Sequence, residues 1–153
     1  MFQIYQQTLS KPVSFKGIGL HTGENSSLTI FPAKENTGIL FKRVDLLKNN
    51  LIKANYRNVS SAKLCTTLEN EHGAKVSTVE HLLAALYIAE IDNAIIEIDT
   101  QEIPIMDGSA KEFLSLLKKT EKTTLEKKRK FLKIKNYLDL NKGRKKISAE
   151  PRN

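Results

Sequence analysis

Hydrophobic and polar positions along this chain change period near residue 77. Before that point, apolar residues come in short alternating runs split by Gly, Pro, Asn and Ser, over residues 2–9, 12–15, 27–31, 38–43, 51–56 and 64–68. A period of two puts successive side chains on opposite faces of a strand, so the pattern predicts antiparallel sheet. Glu71-His72-Gly73-Ala74 predicts a hairpin turn. The run Leu82-Leu83-Ala84-Ala85-Leu86-Tyr87-Ile88-Ala89 is apolar on every side, which predicts a buried helix over 78–90 with Ser77 as its N-cap. A strand over 93–99 follows. Residues 109–119 then place Ala110, Phe113, Leu114 and Leu117 on one helical face and Lys111, Glu112, Ser115 and Lys118 on the other. Two helices on one face of a mostly antiparallel sheet make an α+β layered sandwich.

Beyond residue 120 the pattern weakens. Residues 121–130 have the composition of a Lys-rich linker, and strand-like alternation resumes over 131–135 and 137–140, turns at Asn141-Lys142-Gly143 and continues over 145–149. A lone hairpin is marginally stable in water. The expected organisation is therefore an N-terminal α+β domain over 1–120, a linker over 121–130 and the first hairpin of a second, truncated domain over 131–153.

Composition narrows the class. Hydrophobic content of 40% with a mean hydropathy of −0.36 describes a soluble globular chain, and no apolar stretch reaches the roughly 20 residues that span a bilayer. The first residues lack the basic and apolar regions of a secretory signal, so a cytoplasmic location is expected. A single cysteine, Cys65, forms no internal disulfide and is more often a small buried hydrophobe than a ligand. The net charge of +8 is unevenly placed: residues 1–110 hold ten Lys/Arg against twelve Asp/Glu, whereas 111–153 hold fifteen against five. Such a segment can bind nucleic acid or an anionic membrane surface. A solvated linker is the simpler reading, because no nucleic-acid recognition motif accompanies the charge.

The chemistry concentrates at residues 77–81. Glu80 and His81 fall in the first turn of the predicted buried helix, where polar groups removed from water need partners. Ser77-x-x-Glu80 matches a capping box, and spacing alone favours that role for Glu80; Ser109-x-x-Glu112 has the same spacing. His81 adds a second reading. The positive end of the helix dipole favours a neutral imidazole whose lone pair can bind a metal. His81 could then hold Zn²⁺ while Glu80 acts as general base towards water. The pair is a weaker signal than His-Glu-x-x-His, because position 85 is Ala85 and the chain has three histidines in all. His21 lies in a glycine-rich turn, Gly17-Ile18-Gly19-Leu20-His21-Thr22-Gly23, and His72 at the predicted hairpin tip. In Glu102-Ile103-Pro104-Ile105-Met106-Asp107-Gly108-Ser109, either Asp107 or Ser109 can cap the second helix, and Asp107 can alternatively face a cleft.

These segments in this order resemble the UDP-3-O-acyl-N-acetylglucosamine deacetylases, zinc amidases of lipid A synthesis in Gram-negative bacteria. The resemblance rests on residues 17–23, on Pro32-Ala33-x-x-Asn36-Thr37-Gly38-Ile39, on Ser77-Thr78-Val79-Glu80-His81-Leu82, on Ile91-Asp92-Asn93 and on Ile103-Pro104-Ile105-Met106-Asp107-Gly108-Ser109. Any one element is weak; five in sequence are specific. The resemblance implies two domains, each layering a sheet against a helix pair, with the active site between them. It implies Glu80 as general base, His81 as zinc ligand, and His21, Cys65 and Asp107 near the site. It also implies a UDP-3-O-acyl-N-acetylglucosamine substrate, proximity to the inner membrane and no nucleic-acid partner. The family's other zinc ligands come from a His-x-x-x-Asp helix in the second domain, and no His follows His81 here. The expectation is an N-terminal portion whose partner is the missing C-terminal domain of the same enzyme, inactive by itself.

Overall fold

Alternation along the early strands is realised as one apolar sheet face. The computed structural model describes residues 4–151; residues 2 and 3 of the first predicted strand lie outside that range. The strands are β1 (Tyr5–Leu9), β2 (Val13–Ile18), β3 (Asn25–Pro32), β4 (Ile39–Arg43), β5 (Leu51–Lys53), β6 (Val59–Ser61), β7 (Thr67–Glu69) and β8 (Lys75–Val76). Then come α1 (Glu80–Ile88), β9 (Ala94–Ile98), α2 (Lys111–Lys118), β10 (Lys122–Lys128), β11 (Leu138–Lys142) and β12 (Lys145–Ala149). Five strands pair in the order β2-β3-β9-β4-β5, antiparallel except for the parallel β4–β9 pair. Strands β6-β7-β8 form a second small sheet, its β7–β8 pair joined by the predicted turn. The α+β layered class is as expected.

Val13, Phe15, Leu28, Ile30, Phe41, Ile52, Ile96 and Ile98 bury one face of the large sheet, and Leu82, Ala85 and Leu86 of α1 and Phe113 and Leu117 of α2 join them in one core. Phe113 meets Phe15 of β2 with ring centroids 5.0 Å apart and planes tilted by 58°. Each Val, Leu, Ile or Phe side chain among them contributes about 1.5–3 kcal/mol on burial. Among the described residues no helix is long and apolar enough to cross a membrane.

Four expectations need correction. Helix α1 begins at Glu80 rather than residue 78, because Ser77 is held in a bridge with Glu102 and Thr78 takes a left-handed φ of 57°. It is also not buried all round: Tyr87 is 85% and Ile88 54% exposed, since Leu82, Ala85 and Leu86, with Leu83 partly buried beside them, face the core and the opposite side does not. Residues 131–135 form no strand. Finally, the stretch read as linker contains β10, which pairs antiparallel with β1. Gln6, Gln7, Thr8 and Leu9 of β1 are buried, so their backbone needs a ladder partner. Thr123 and Thr124 supply β-formers opposite Thr8 and Gln7, and the exposed lysines suit an edge strand. Arg129 pins the end of β10: its Nε donates to Asp92 Oδ1 at 2.8 Å and Oδ2 at 2.9 Å, and a terminal nitrogen donates to the Glu90 carbonyl at 2.9 Å.

A candidate metal centre at the start of the first helix

The first turn of α1 is positioned by its neighbours rather than by a cap. The Ser77 N–H donates to the Gln101 carbonyl at 2.9 Å, the Ile103 N–H donates to the Ser77 carbonyl at 3.1 Å, and the Ser77 hydroxyl donates to the Gln101 carbonyl at 3.2 Å. Among the described residues no side chain caps the helix, so the capping-box reading of Glu80 does not hold. The start of the helix at Glu80 puts this residue at the first helical position, too early to reach back to Ser77. Its carboxylate instead receives the Thr66 N–H at 3.0 Å on Oε2. Oε1 accepts no hydrogen bond among the described residues.

His81 follows, half-buried, with an Nδ1 that is buried and has no hydrogen-bond partner among the described residues. An unsatisfied buried polar atom costs about 1–3 kcal/mol, and a metal ion is one partner that would satisfy an imidazole nitrogen. The contact between Glu80 and Thr66 brings the strand-entry segment of Cys65 beside the same turn. Cys65 is half-buried, 3.9 Å from the Thr67 hydroxyl.

The His21 turn reaches this place through Glu102. The His21 N–H donates to both carboxylate oxygens of Glu102 at 3.1 Å, the Thr22 N–H to Oε2 at 2.8 Å, and the Thr78 hydroxyl to Oε1 at 2.8 Å. Glu102 is fully buried. Burial pushes its pKa up, but the His21 N–H, the Thr78 hydroxyl and the Thr22 N–H together hold it below the ordinary glutamate value. Thr78 is β-branched and left-handed, a conformation that costs about 1–3 kcal/mol and persists only where surroundings over-determine it. Two glycines of the His21 turn answer to packing within the protein itself. A Cβ on Gly19 would stand 2.6 Å from Glu102 Oε2, and one on Gly17 would stand 2.9 Å from Pro104.

Glu80, His81 and the backbones of Thr66 and His21 are thus gathered at one helix end, while the His21 side chain is exposed. Asp107 stays in the loop that packs on Gly17: the Ile105 N–H donates to the Ile18 carbonyl at 3.0 Å. Exposed Asp107 accepts from the Ser109 N–H and hydroxyl, and Ser109 in turn accepts from the Lys111 N–H, so both serve the start of α2. His72 sits exposed in the β7–β8 turn. No group of three or more His, Cys, Asp and Glu side chains among the described residues is placed to hold a metal. The residue that sequence reasoning missed is Glu102, an acid followed directly by the apolar Ile103-Pro104-Ile105.

The sequence signature of the UDP-3-O-acyl N-acetylglycosamine deacetylases matches residues 6–153. The chain belongs to this deacetylase family. It is similar to the UDP-3-O-acyl-N-acetylglucosamine deacetylases of Colwellia psychrerythraea, 49% identical over 93% of the chain and 47% of that relative, and of Geotalea uraniireducens, 44% identical over 96% and 48%. The Haemophilus influenzae (strain PittEE) relative is 44% identical over 98% of the chain and 49% of its own length. The chain spans about half the length of the curated deacetylases it matches.

Proposed function

We propose that this chain carries the general base and one metal ligand of a zinc-dependent amidohydrolase. Its reaction would remove the N-acetyl group of UDP-3-O-acyl-N-acetylglucosamine, giving acetate and the free amine in lipid A synthesis. One observation supports this above others: in a chain of this family, a half-buried carboxylate aimed by a backbone N–H stands next to an imidazole with a buried, unpartnered nitrogen. His81 would hold the Zn²⁺, with its other ligands drawn from a second domain as the resemblance implies. When bound, the metal polarises the amide carbonyl and lowers the pKa of water.

Glu80 does the proton work. With Oε2 held by Thr66, Oε1 takes the proton of the attacking water as its oxygen adds to the acetamide carbonyl carbon. The C–N bond then breaks and Glu80 returns that proton to the amine nitrogen. His21, Cys65 and Asp107 border the substrate. The hairpin β11–β12 opens the second domain of this reading: Leu138, Leu140 and Ile147 share one exposed apolar face that a further layer would cover. The proposed setting is the cytoplasm, where the acyl chain brings the enzyme to the inner membrane.

The test is a deacetylase assay on the intact gene product. Glu80→Gln lowers kcat by roughly 10²–10⁴ or more, and His81→Ala loses zinc by metal analysis. The 153-residue chain alone retains little zinc after dialysis. Near-wild-type kcat in Glu80→Gln removes Glu80 as base, and stoichiometric zinc in His81→Ala removes His81 as ligand.

A further inference from the structure

Glu102 joins three segments distant in sequence without being part of the proposed chemistry. Its backbone is bridged to Ser77, and its carbonyl accepts from the Ser26 hydroxyl at 2.8 Å. Its carboxylate is wholly buried and, among the described residues, takes its donors from the His21 turn and from Thr78. Among the described residues no cation pairs with it. A core position needing only volume would be filled by an apolar side chain, since a buried charge demands complete hydrogen bonding. Here every donor comes from a segment that leads to a candidate site residue. One is His21 itself, and another is Thr78, held left-handed two residues before Glu80.

We infer that Glu102 is a positioning residue: its buried carboxylate ties the turn carrying His21 to the left-handed Thr78 step, and so sets His21 relative to Glu80 and His81. The functional value of this clamp rests on the reading of Glu80 and His81 given above. Its geometry does not. Removing the acceptor lets the His21 turn open and frees Thr78 to relax towards right-handed backbone, which shifts the start of α1 and with it the His81 ring.

The experiment uses the ¹⁵N-labelled, metal-free 153-residue chain and the variants Glu102→Gln, Thr78→Val and Thr78→Ser. In Glu102→Gln, amide hydrogen exchange at His21 and Thr22 speeds up by roughly tenfold to hundredfold, the range for losing a bond to a charged acceptor. Ile30 and Ile96 in the β3–β9 ladder keep their rates, and the His81 imidazole resonances move although His81 makes no hydrogen bond to residue 102. Thr78→Val moves the His81 resonances while His21 and Thr22 stay protected, and Thr78→Ser restores them. The inference is overturned if Glu102→Gln leaves His21 and Thr22 exchange unchanged, or destabilises the whole chain evenly without moving His81. Should Glu102→Gln fail to fold, the Thr78 pair decides: a wild-type His81 signal in Thr78→Val sinks the clamp. These readouts need no metal or turnover, so they stand apart from the kcat and zinc results that test Glu80 and His81.

Discussion

A carboxylate buried without a cation makes stability depend on pH in a predictable direction. Glu102 has a folded pKa below its ordinary value, because hydrogen bonds from His21, Thr78 and Thr22 outweigh the opposing effect of burial. Such a group adds stability above its unfolded pKa, about 4.3 for glutamate, and loses it as pH falls through the lower folded value. The gap in unfolding free energy between wild type and Glu102→Gln, measured by urea, should therefore be constant near neutrality. It should close as the pH falls below about 4. Asp45, lowered mainly by its hydrogen bond from Arg43, titrates equally in both proteins and cancels. A gap that persists undiminished in acid would mean that Glu102 is not ionised in the folded chain. At this scale the sequence shows Glu80 and His81, because two polar residues opening an apolar run stand out. It does not show Glu102, whose partners are backbone N–H groups some 80 residues earlier, and backbone donors leave no mark in a sequence.

Helix α1 is bounded at both ends by left-handed residues that are not glycine, Thr78 and Glu90. At its C-terminal end the Glu90 N–H donates to the Tyr87 carbonyl and the Ile91 N–H to the Leu86 carbonyl, the two bonds of a Schellman stop. Glu90 takes the position that glycine usually fills, and its carboxylate lies 3.6 Å from both Arg129 and Lys122. Arg129→Ala should thus loosen two elements at once, freeing the end of β10 and the turn after α1. The expected loss is about 1.5–3 kcal/mol, the range for hydrogen bonds between charged groups, read by urea unfolding. Faster amide exchange in β10 than in β3 should accompany it, and equal acceleration in both strands would deny the local pin. Periodicity located both helices and most strands of the layer, since burial on one face writes itself into spacing. The start of α1 lies later than the spacing predicts because Ser77 answers to Gln101 and Ile103 rather than to the helix it precedes. Strand β10 was missed for a related reason: its lysines are exposed, and its pairing is dictated by the backbone of β1.

At the scale of the molecule, the α+β layer was readable and the pairing of β10 with β1 was not. Alternation in β2, β3 and β9 encodes the sheet directly, whereas the parallel partners of β4 and β9 lie 55 residues apart and no local pattern announces them. The basic segment, open from composition to a nucleic-acid reading, is partly spent inside the fold, where Lys122 and Arg129 face Glu90 and Asp92. Pairing of β10 with β1 has a practical consequence for how the chain meets a protease. Trypsin recognises exposed lysines but must draw several residues of unpaired backbone into its cleft, and nicking concentrates where the chain is free. Lys128 is paired with Tyr5 and Lys127 lies within the same strand, whereas Lys130, Lys133 and Lys135 lie where no regular structure forms. Early digestion, followed by mass spectrometry, should accumulate fragments ending at 130–135 rather than at 127 or 128. A fragment of that length keeps both strands of the β1–β10 pair. One ending at residue 120 would leave the edge of β1 bare.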